Sequence, residues 1–435
     1  TSESIKQGFQ NLRPGGDFDC LFLAGRCRSQ ADWLVGINAT RAYTIIQGSL
    51  YSVGRVQTPT LAFLVEREKE IQQFKAQTYW LLRAVFDSPY GSVPVKYAGD
   101  QEGKILSETE AKRLVAQVEG SPATVVQFED KETLQPPALP FDLTALQQES
   151  NERWGWTAAH TLEVAQNLYE KRKLITYPRT SSRYVTPDLV KTFGARLRAI
   201  VQAKELNFKP VVSGLPGFPQ FNPPPSAQRP IVDEQKVTDH HAILPTEITA
   251  PDGLAGDEGQ LYRLIASSFL ALFLPPCRFA ERSLTVECAG SIFTAKSKQM
   301  EDAGWRALPL FSKTKPGQGQ GVAAEAGAKT RRAKTKGASA VSTASAAGTP
   351  DSEAAEEETD NLQIPLLKVG ETGSIKQAEL RKEKTRPPRR YTEAALLSAM
   401  KNAGRRVEDP ELPGGDVGLG TPATRAAILE RLKKV

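Results

Sequence analysis

Apolar residues recur along the chain with two different periods. Over residues 1–75 the period is helical: Ala31, Leu34, Val35, Asn38 and Ala42 fall on one face, and Leu61–Ile71 runs without a breaker. From about 76 to 135 the pattern turns strand-like, in Tyr79–Phe86 and Ala123–Phe128, with a short helix between them over Ser107–Val118. Ser107 is placed to cap that helix and Glu110 to close a capping box. Gln135-Pro136-Pro137 and Pro140 punctuate the chain, and residues 141–275 read again as helix. There, Thr157 precedes Ala158, Leu162, Ala165, Leu168 and Tyr169, which share a face. Strand character returns in Arg282–Glu287, Ile292–Ala295 and Ile364–Leu367, and a last helical region begins at Thr392.

Two stretches have neither period. The Pro- and Gly-rich residues 210–230 predict a long loop. Residues 313–360 are Gly, Ala, Ser and Thr with a basic run (Lys329 to Lys336) followed by an acidic one (Asp351 to Asp360). Too little apolar surface is present there to offset chain entropy, so a disordered insertion is expected.

Composition narrows the class. The 435 residues are 40% hydrophobic, and Gly raises the apolar share to about 48%, which excludes a mostly disordered or fibrous chain. The longest apolar stretch, Leu264–Leu274, is interrupted by Ser267-Ser268 and stops at Pro275-Pro276, short of the roughly 20 residues of a membrane span. Four Cys without a CxxC and three His argue against a disulfide scaffold or a structural zinc site, so a reducing, cytosolic setting is the default expectation. A formal charge of +6 permits a nucleic-acid partner without requiring one.

Four segments carry candidate chemistry. In Leu174–Arg183 a helix ends in Lys171-Arg172-Lys173, Pro178 holds Tyr177 extended, and Arg179, two residues on, can share its face. A phenol, with its ordinary pKa of about 10, is a weak nucleophile. It can attack a phosphodiester when cations stabilise the charge developing on the phosphoryl oxygens. A corner tyrosine among solvated arginines is the competing reading. Ser52–Leu61 offers Gly54 for close backbone approach, Arg55 and Gln57 as donors, and Thr58-Pro59 opening a helix whose N-terminus favours phosphate. Thr238–Thr246 holds His240 and His241, whose side chains diverge in extended backbone and lack a third metal ligand. Gly418–Arg425 is a second Gly-rich loop leading into a helix.

Together these segments resemble the type IA DNA topoisomerases, most closely their topoisomerase III branch. The resemblance rests on Ala31–Asn38 with Arg41–Thr44, then Ser52–Thr60, Ile175–Thr180, Asp239–Thr246 and Gly418–Arg425, five motifs in the family's order. It implies an α+β multi-lobed torus of helical DNA-binding lobes and β-rich arches. By residue, it implies a first DNA-binding segment over 1–75 and its return over 390–435. The arch would take 76–138 and 281–389, with the insertion at 313–360, and a helical lobe over 139–280 would carry the nucleophile.

Under this resemblance Tyr177 forms a 5′-phosphotyrosyl link with single-stranded DNA. Arg179 orients the scissile phosphate and stabilises its charge, His240 binds phosphate or helps proton transfer, and Thr176 and Thr180 beside them are expected to bind DNA. Arg28, Asp32, Gly36 and Tyr43 would lie on the DNA-binding helix. Ser52, Val53, Gly54, Arg55, Val56 and Gln57 would line the strand groove, with Thr421 and Thr424 on its far side. The implied reaction is ATP-independent cleavage, strand passage and religation, relaxing or decatenating DNA. The implied partners are single-stranded DNA and negatively supercoiled or catenated duplex, and the implied protein is a cytoplasmic, nucleoid-associated monomer.

Two departures stand out. The family's Toprim domain, which supplies the Mg²⁺ ligands, is expected to precede this segment, so the chain is expected to hold no metal and to lack cleavage activity alone. Asp17-Phe18-Asp19 spells an acidic pair but lacks a strand or Gly-Glu context, and is expected to be an unrelated loop. The Asp usual after the motif's Thr is Ser181 here. The alternative from another class is a non-catalytic single-stranded DNA-binding module. A tyrosine recombinase does not fit, because Tyr177 precedes His240; a relaxase does not fit, because the two His are adjacent.

Overall fold

The computed structural model describes residue 6 and residues 8–99, 103–206, 208, 231–311, 362–406 and 418–434. The Pro/Gly loop and the low-complexity insertion expected above lie outside these residues. The chain divides into two compact units, Thr1–Glu66 with Tyr391–Val435, and Arg67–Arg390.

The first unit opens on a single turn of 3₁₀ helix, Gly15–Phe18, that runs into α1 (Asp19–Gln47). Asp17-Phe18-Asp19 is therefore helical rather than a loop, and Arg13 binds Asp17 one turn away at 3.2 Å. Helix α1 ends where Gly48, at φ 68°, adopts the left-handed conformation and donates to the Thr44 carbonyl. The helix is as the periodicity requires, yet none of its residues is buried; Leu34 and Val35 keep about half their surface. Helix α2 (Gln57–Gln73) follows.

The second unit contains a closed barrel. Strands β1 (Thr78–Ser88), β2 (Gly91–Tyr97), β3 (Lys104–Ile105), β4 (Pro122–Gln135), β5 (Cys277–Cys288), β6 (Ser291–Asp302) and β7 (Thr372–Lys384) form one antiparallel sheet in the order β2-β6-β5-β4-β7-β1-β3. Because β1 also pairs with β2, six strands close on themselves and β3 is added beside β1. The interior takes Phe86, Val93, Val95, Val125, Val286, Phe293 and Ile375, all essentially inaccessible. Helix α3 (Glu108–Val118) seats Ala111, Leu114 and Val118 on this core, with Ser107 accepting from the Glu110 N–H as its cap.

Ile364–Leu367 is not a strand. It is an irregular segment whose Ile364 and Leu367 plug the barrel core, while Pro365 has no N–H to give a ladder. The Ile364 carbonyl accepts from Arg282 Nη1 at 2.7 Å instead.

The rest of this unit is helical: α4 (Leu143–Trp154), α5 (Ala158–Glu170), α6 (Phe193–Gln202) and α7 (Gly256–Ala271). Asp142 caps α4 through the Ala145 N–H at 2.6 Å, and Thr157 caps α5 through the His160 N–H at 3.1 Å. Phe193, Phe269 and Phe273 meet edge to face between α6 and the end of α7. Leu146, Val164, Leu168, Leu174, Ile175, Ile243 and Leu264 form a neighbouring core. Back in the first unit, α8 (Glu393–Lys401) is capped by Thr392 and α9 (Pro422–Lys433) by Thr421. Among the described residues no helix is long and apolar enough to cross a membrane.

Candidate functional site

The turn after α5 delivers the tyrosine segment. Lys173 takes φ 57°, a conformation that costs a side-chain-bearing residue about 1–2 kcal/mol. Its carbonyl accepts from the Thr246 hydroxyl at 2.6 Å, and the Thr246 N–H reaches the Leu174 carbonyl at 2.8 Å. The strained turn thus docks 174–182 against 236–246. Along this seam Ile175 bridges Pro245 antiparallel, and the Thr176 N–H donates to the Leu244 carbonyl at 2.8 Å.

Extended backbone then sorts the side chains by parity. The even positions face the seam. Thr176 donates to the Ala242 carbonyl (3.1 Å) and accepts from the Leu244 N–H (2.9 Å). Thr180 donates to the His240 carbonyl (2.9 Å), and Ser182 to that of Lys236 (2.9 Å). The odd positions Tyr177 and Arg179 face α5. The Tyr177 ring lies 5.4 Å from that of Tyr169, and Arg179 meets Gln166, one helical turn earlier. A guanidinium only donates, so Gln166 presents its amide oxygen, accepting from Nη2 at 2.7 Å and Nε at 3.3 Å.

The His240 ring also packs on Tyr177, with ring centroids 4.5 Å apart and planes tilted by 50°. His241 turns inward, as adjacent side chains in extended backbone must. Its Nδ1 faces the Ala242 carbonyl at 2.7 Å, which makes that nitrogen the donor. Burial holds the His241 imidazole below its ordinary pKa, and the charges of Arg196 and His240 push the same way. Arg196, itself buried, ties α6 to the seam through the Pro245 carbonyl. Ser181, where the resemblance leads one to expect Asp, is exposed and meets the Thr238 hydroxyl at 3.0 Å.

Tyr177 is half-buried, with a cation two residues away and an imidazole on its face. Elsewhere in the unit Tyr262 is fully buried, and desolvation pushes its phenol up to about 12. Gln166, Tyr169, Lys173 and Arg196 were not singled out as site residues from the sequence. The available signal was the register of α5, which puts Gln166 and Tyr169 three apart on one face.

The other sequence candidates gather in the first unit. Thr40 clamps the Gly-rich loop to α1, accepting from the Val53 N–H at 3.0 Å and donating to its carbonyl at 3.3 Å. A side chain at Gly36 would meet the Val53 carbonyl at 3.7 Å. Arg55 lies 3.3 Å from Asp32 and donates to the Arg28 carbonyl at 3.1 Å. Ser52 Oγ accepts from Gln57 Nε2 at 2.9 Å and from Arg431 Nη2 at 3.1 Å. Val56 lies against Gly420, whose φ of 66° precedes the Thr421–Thr424 capping box. Tyr43 is exposed. Asp32 and Arg55 therefore pair at an exposed site beside the Arg28 carbonyl, whereas the hydroxyls of Thr421 and Thr424 are spent on the helix cap.

The family described as DNA topoisomerase matches residues 18–347 and 322–435. The chain belongs to the DNA topoisomerase family. It is 35% identical to the DNA topoisomerase 3 of Bacillus licheniformis and 34% identical to those of Bacillus subtilis and Salmonella typhimurium, over 99% of its own length. These matches cover 54%, 54% and 61% of the three relatives, so the chain spans little more than half of a topoisomerase 3. The full-length topoisomerase I of Thermotoga maritima shares the fold at a TM-score of 0.54 and 21% identity, covering 89% of this chain and 52% of that one. Helices with a large antiparallel sheet fit a type IA topoisomerase core, in agreement with the family that the five motifs pointed to.

Proposed function

We propose that this chain is the strand-cleaving core of a type IA topoisomerase and that Tyr177 is its nucleophile. The observation that carries the reading is the seam itself. It presents Tyr177 and Arg179 side by side against α5, with the His240 ring in contact with the phenol.

In the proposed step the Tyr177 phenol oxygen attacks the phosphorus of a single-stranded DNA backbone. The bond from phosphorus to the 3′ oxygen breaks, the phenolic proton leaves, and the departing 3′ oxygen takes up a proton. The DNA keeps a 5′-phosphotyrosyl link whose energy drives the reverse reaction, so ATP is not consumed. Arg179 stabilises the charge that builds on the phosphoryl oxygens. His240 holds a phosphate or moves a proton, and Thr176 and Thr180 fix the two segments on which these groups stand.

Arg28, Asp32, Gly36, Tyr43 and the Ser52–Gln57 loop are proposed as the single-strand groove, with Thr421 and Thr424 at its margin. The lobes are proposed as 1–75 with 390–435, 76–138 with 281–389, and 139–280. The whole protein would pass a second strand through the break, on negatively supercoiled or catenated DNA, as a cytoplasmic monomer.

The family's chemistry implies Mg²⁺; among the described residues no group of three or more His, Cys, Asp or Glu is placed to hold a metal ion. The metal ligands are proposed to come from outside them.

The test uses the protein expressed from its complete coding sequence, a labelled oligonucleotide and Mg²⁺. A denaturant-resistant protein–DNA adduct that disappears in Tyr177→Phe supports the reading. Binding with no adduct, or an adduct that survives Tyr177→Phe, overturns it.

A further inference from the structure

The five N–H donors of Arg179 divide unequally. Gln166 Oε1 takes the edge formed by Nε (3.3 Å) and one hydrogen of Nη2 (2.7 Å). The opposite edge, Nη1 with the outer hydrogen of Nη2, is the fork that matches two oxygens of a phosphate. An arginine side chain has several rotatable bonds and, being otherwise exposed, would sweep many orientations. Gln166 is half-buried on α5, one helical turn before the Tyr169 that packs on Tyr177. One rigid helix therefore sets both the position of the phenol and the direction of the fork.

We infer that Gln166 is the positioning residue for Arg179: its amide oxygen holds the guanidinium so that the free fork addresses the phosphate at Tyr177. The inference rests on the function proposed above for Tyr177 and Arg179. Gln166 touches no reacting atom and acts through Arg179 alone. Its loss should slow formation of the covalent link at saturating DNA while leaving DNA affinity nearly unchanged.

Two measurements on the protein expressed from its complete coding sequence test this. Gln166→Met keeps the side chain's length and removes the acceptor. It should slow adduct formation about tenfold, the scale set by releasing one arginine side chain. In an Arg179→Lys background, which has no fork to orient, the same change should cost less than about twofold. An undiminished rate in Gln166→Met, or an equal loss in both backgrounds, overturns the inference.

The second readout does not depend on cleavage. The Arg179 Nε–H proton, assigned by its loss in Arg179→Lys, should exchange slowly with water in the unaltered protein and in Gln166→Glu, and rapidly in Gln166→Met. Equal exchange in all three removes the hydrogen bond and the inference with it. Should the unaltered protein form no adduct, the proposed function fails. Slow exchange would then still establish that Gln166 orients Arg179, and fast exchange would refute it.

Discussion

Thr180 offers a quantitative check on the seam, because sequence alone put it near DNA and the structure spends its hydroxyl internally. The residue keeps only 2% of its surface. Its Oγ1 donates to the His240 carbonyl at 2.9 Å and accepts from the buried Ser182 N–H at 3.1 Å. Valine has nearly the same shape, so Thr180→Val removes both bonds without opening a cavity. Each partner left unpaired in a buried setting costs about 1–3 kcal/mol. The His240 carbonyl belongs to an exposed residue and recovers part of that from water, so the expected total is about 2–4 kcal/mol. Urea unfolding followed by circular dichroism reads the loss directly. Thr180→Ser, which keeps the hydroxyl and removes one methyl, should cost about 0.8 kcal/mol. Oligonucleotide affinity should barely move in either variant. A Thr180→Val protein of unchanged stability that binds DNA much more weakly would refute the reasoning, and would make this hydroxyl a DNA ligand.

The remaining predictions concern other parts of the two units. His241 is held below its ordinary 6.5 by burial, so its neutral form contributes stability that is complete above about pH 6.5 and lost as pH falls toward the folded value. His241→Gln should therefore flatten the fall in urea stability below pH 6.5, and an unchanged pH profile would contradict the assignment. Gly420, at φ 66° and with Val56 Cγ1 3.2 Å from where a Cβ would stand, should tolerate alanine poorly. A loss of about 1–2 kcal/mol in thermal unfolding is expected for Gly420→Ala, and neutrality would mean that the loop before α9 is not held in this conformation.

Much of this arrangement was legible in the sequence, for physical reasons that also mark the limits. Ser107, Thr157 and Thr392 announced their helices because a cap is a local interaction. Tyr79–Phe86 and Arg282–Glu287 announced strands because one face is buried and the other is not. Strand β7 was missed: it pairs with β1 across some 300 residues, carries mostly polar and charged side chains, and is interrupted by Gln377 at φ 53°, so no alternation survives. The far half of β4 is polar for the same reason, running as Glu129–Gln135 along β5 outside the barrel core. Ile364–Leu367 misled in the opposite sense, since an apolar run can plug a core without joining a ladder.

At the site, the spacing of Tyr177 and Arg179 was visible, and so was the divergence of the two His. The partners across the fold were not. Gln166 and Tyr169 are addressed by the strained turn at Lys173, which no local pattern reveals. The exposed apolar face of α1 was read as a helix face without any sign of what covers it.

The account turns on which atom becomes joined to DNA. Trapping the adduct with denaturant, digesting it and sequencing the nucleotide-bearing peptide by tandem mass spectrometry identifies that atom. The account predicts a single modified tryptic peptide, Leu174–Arg179, with the 5′ phosphate on the Tyr177 oxygen. A nucleotide on any other side chain, or a link through a 3′ phosphate, would contradict it.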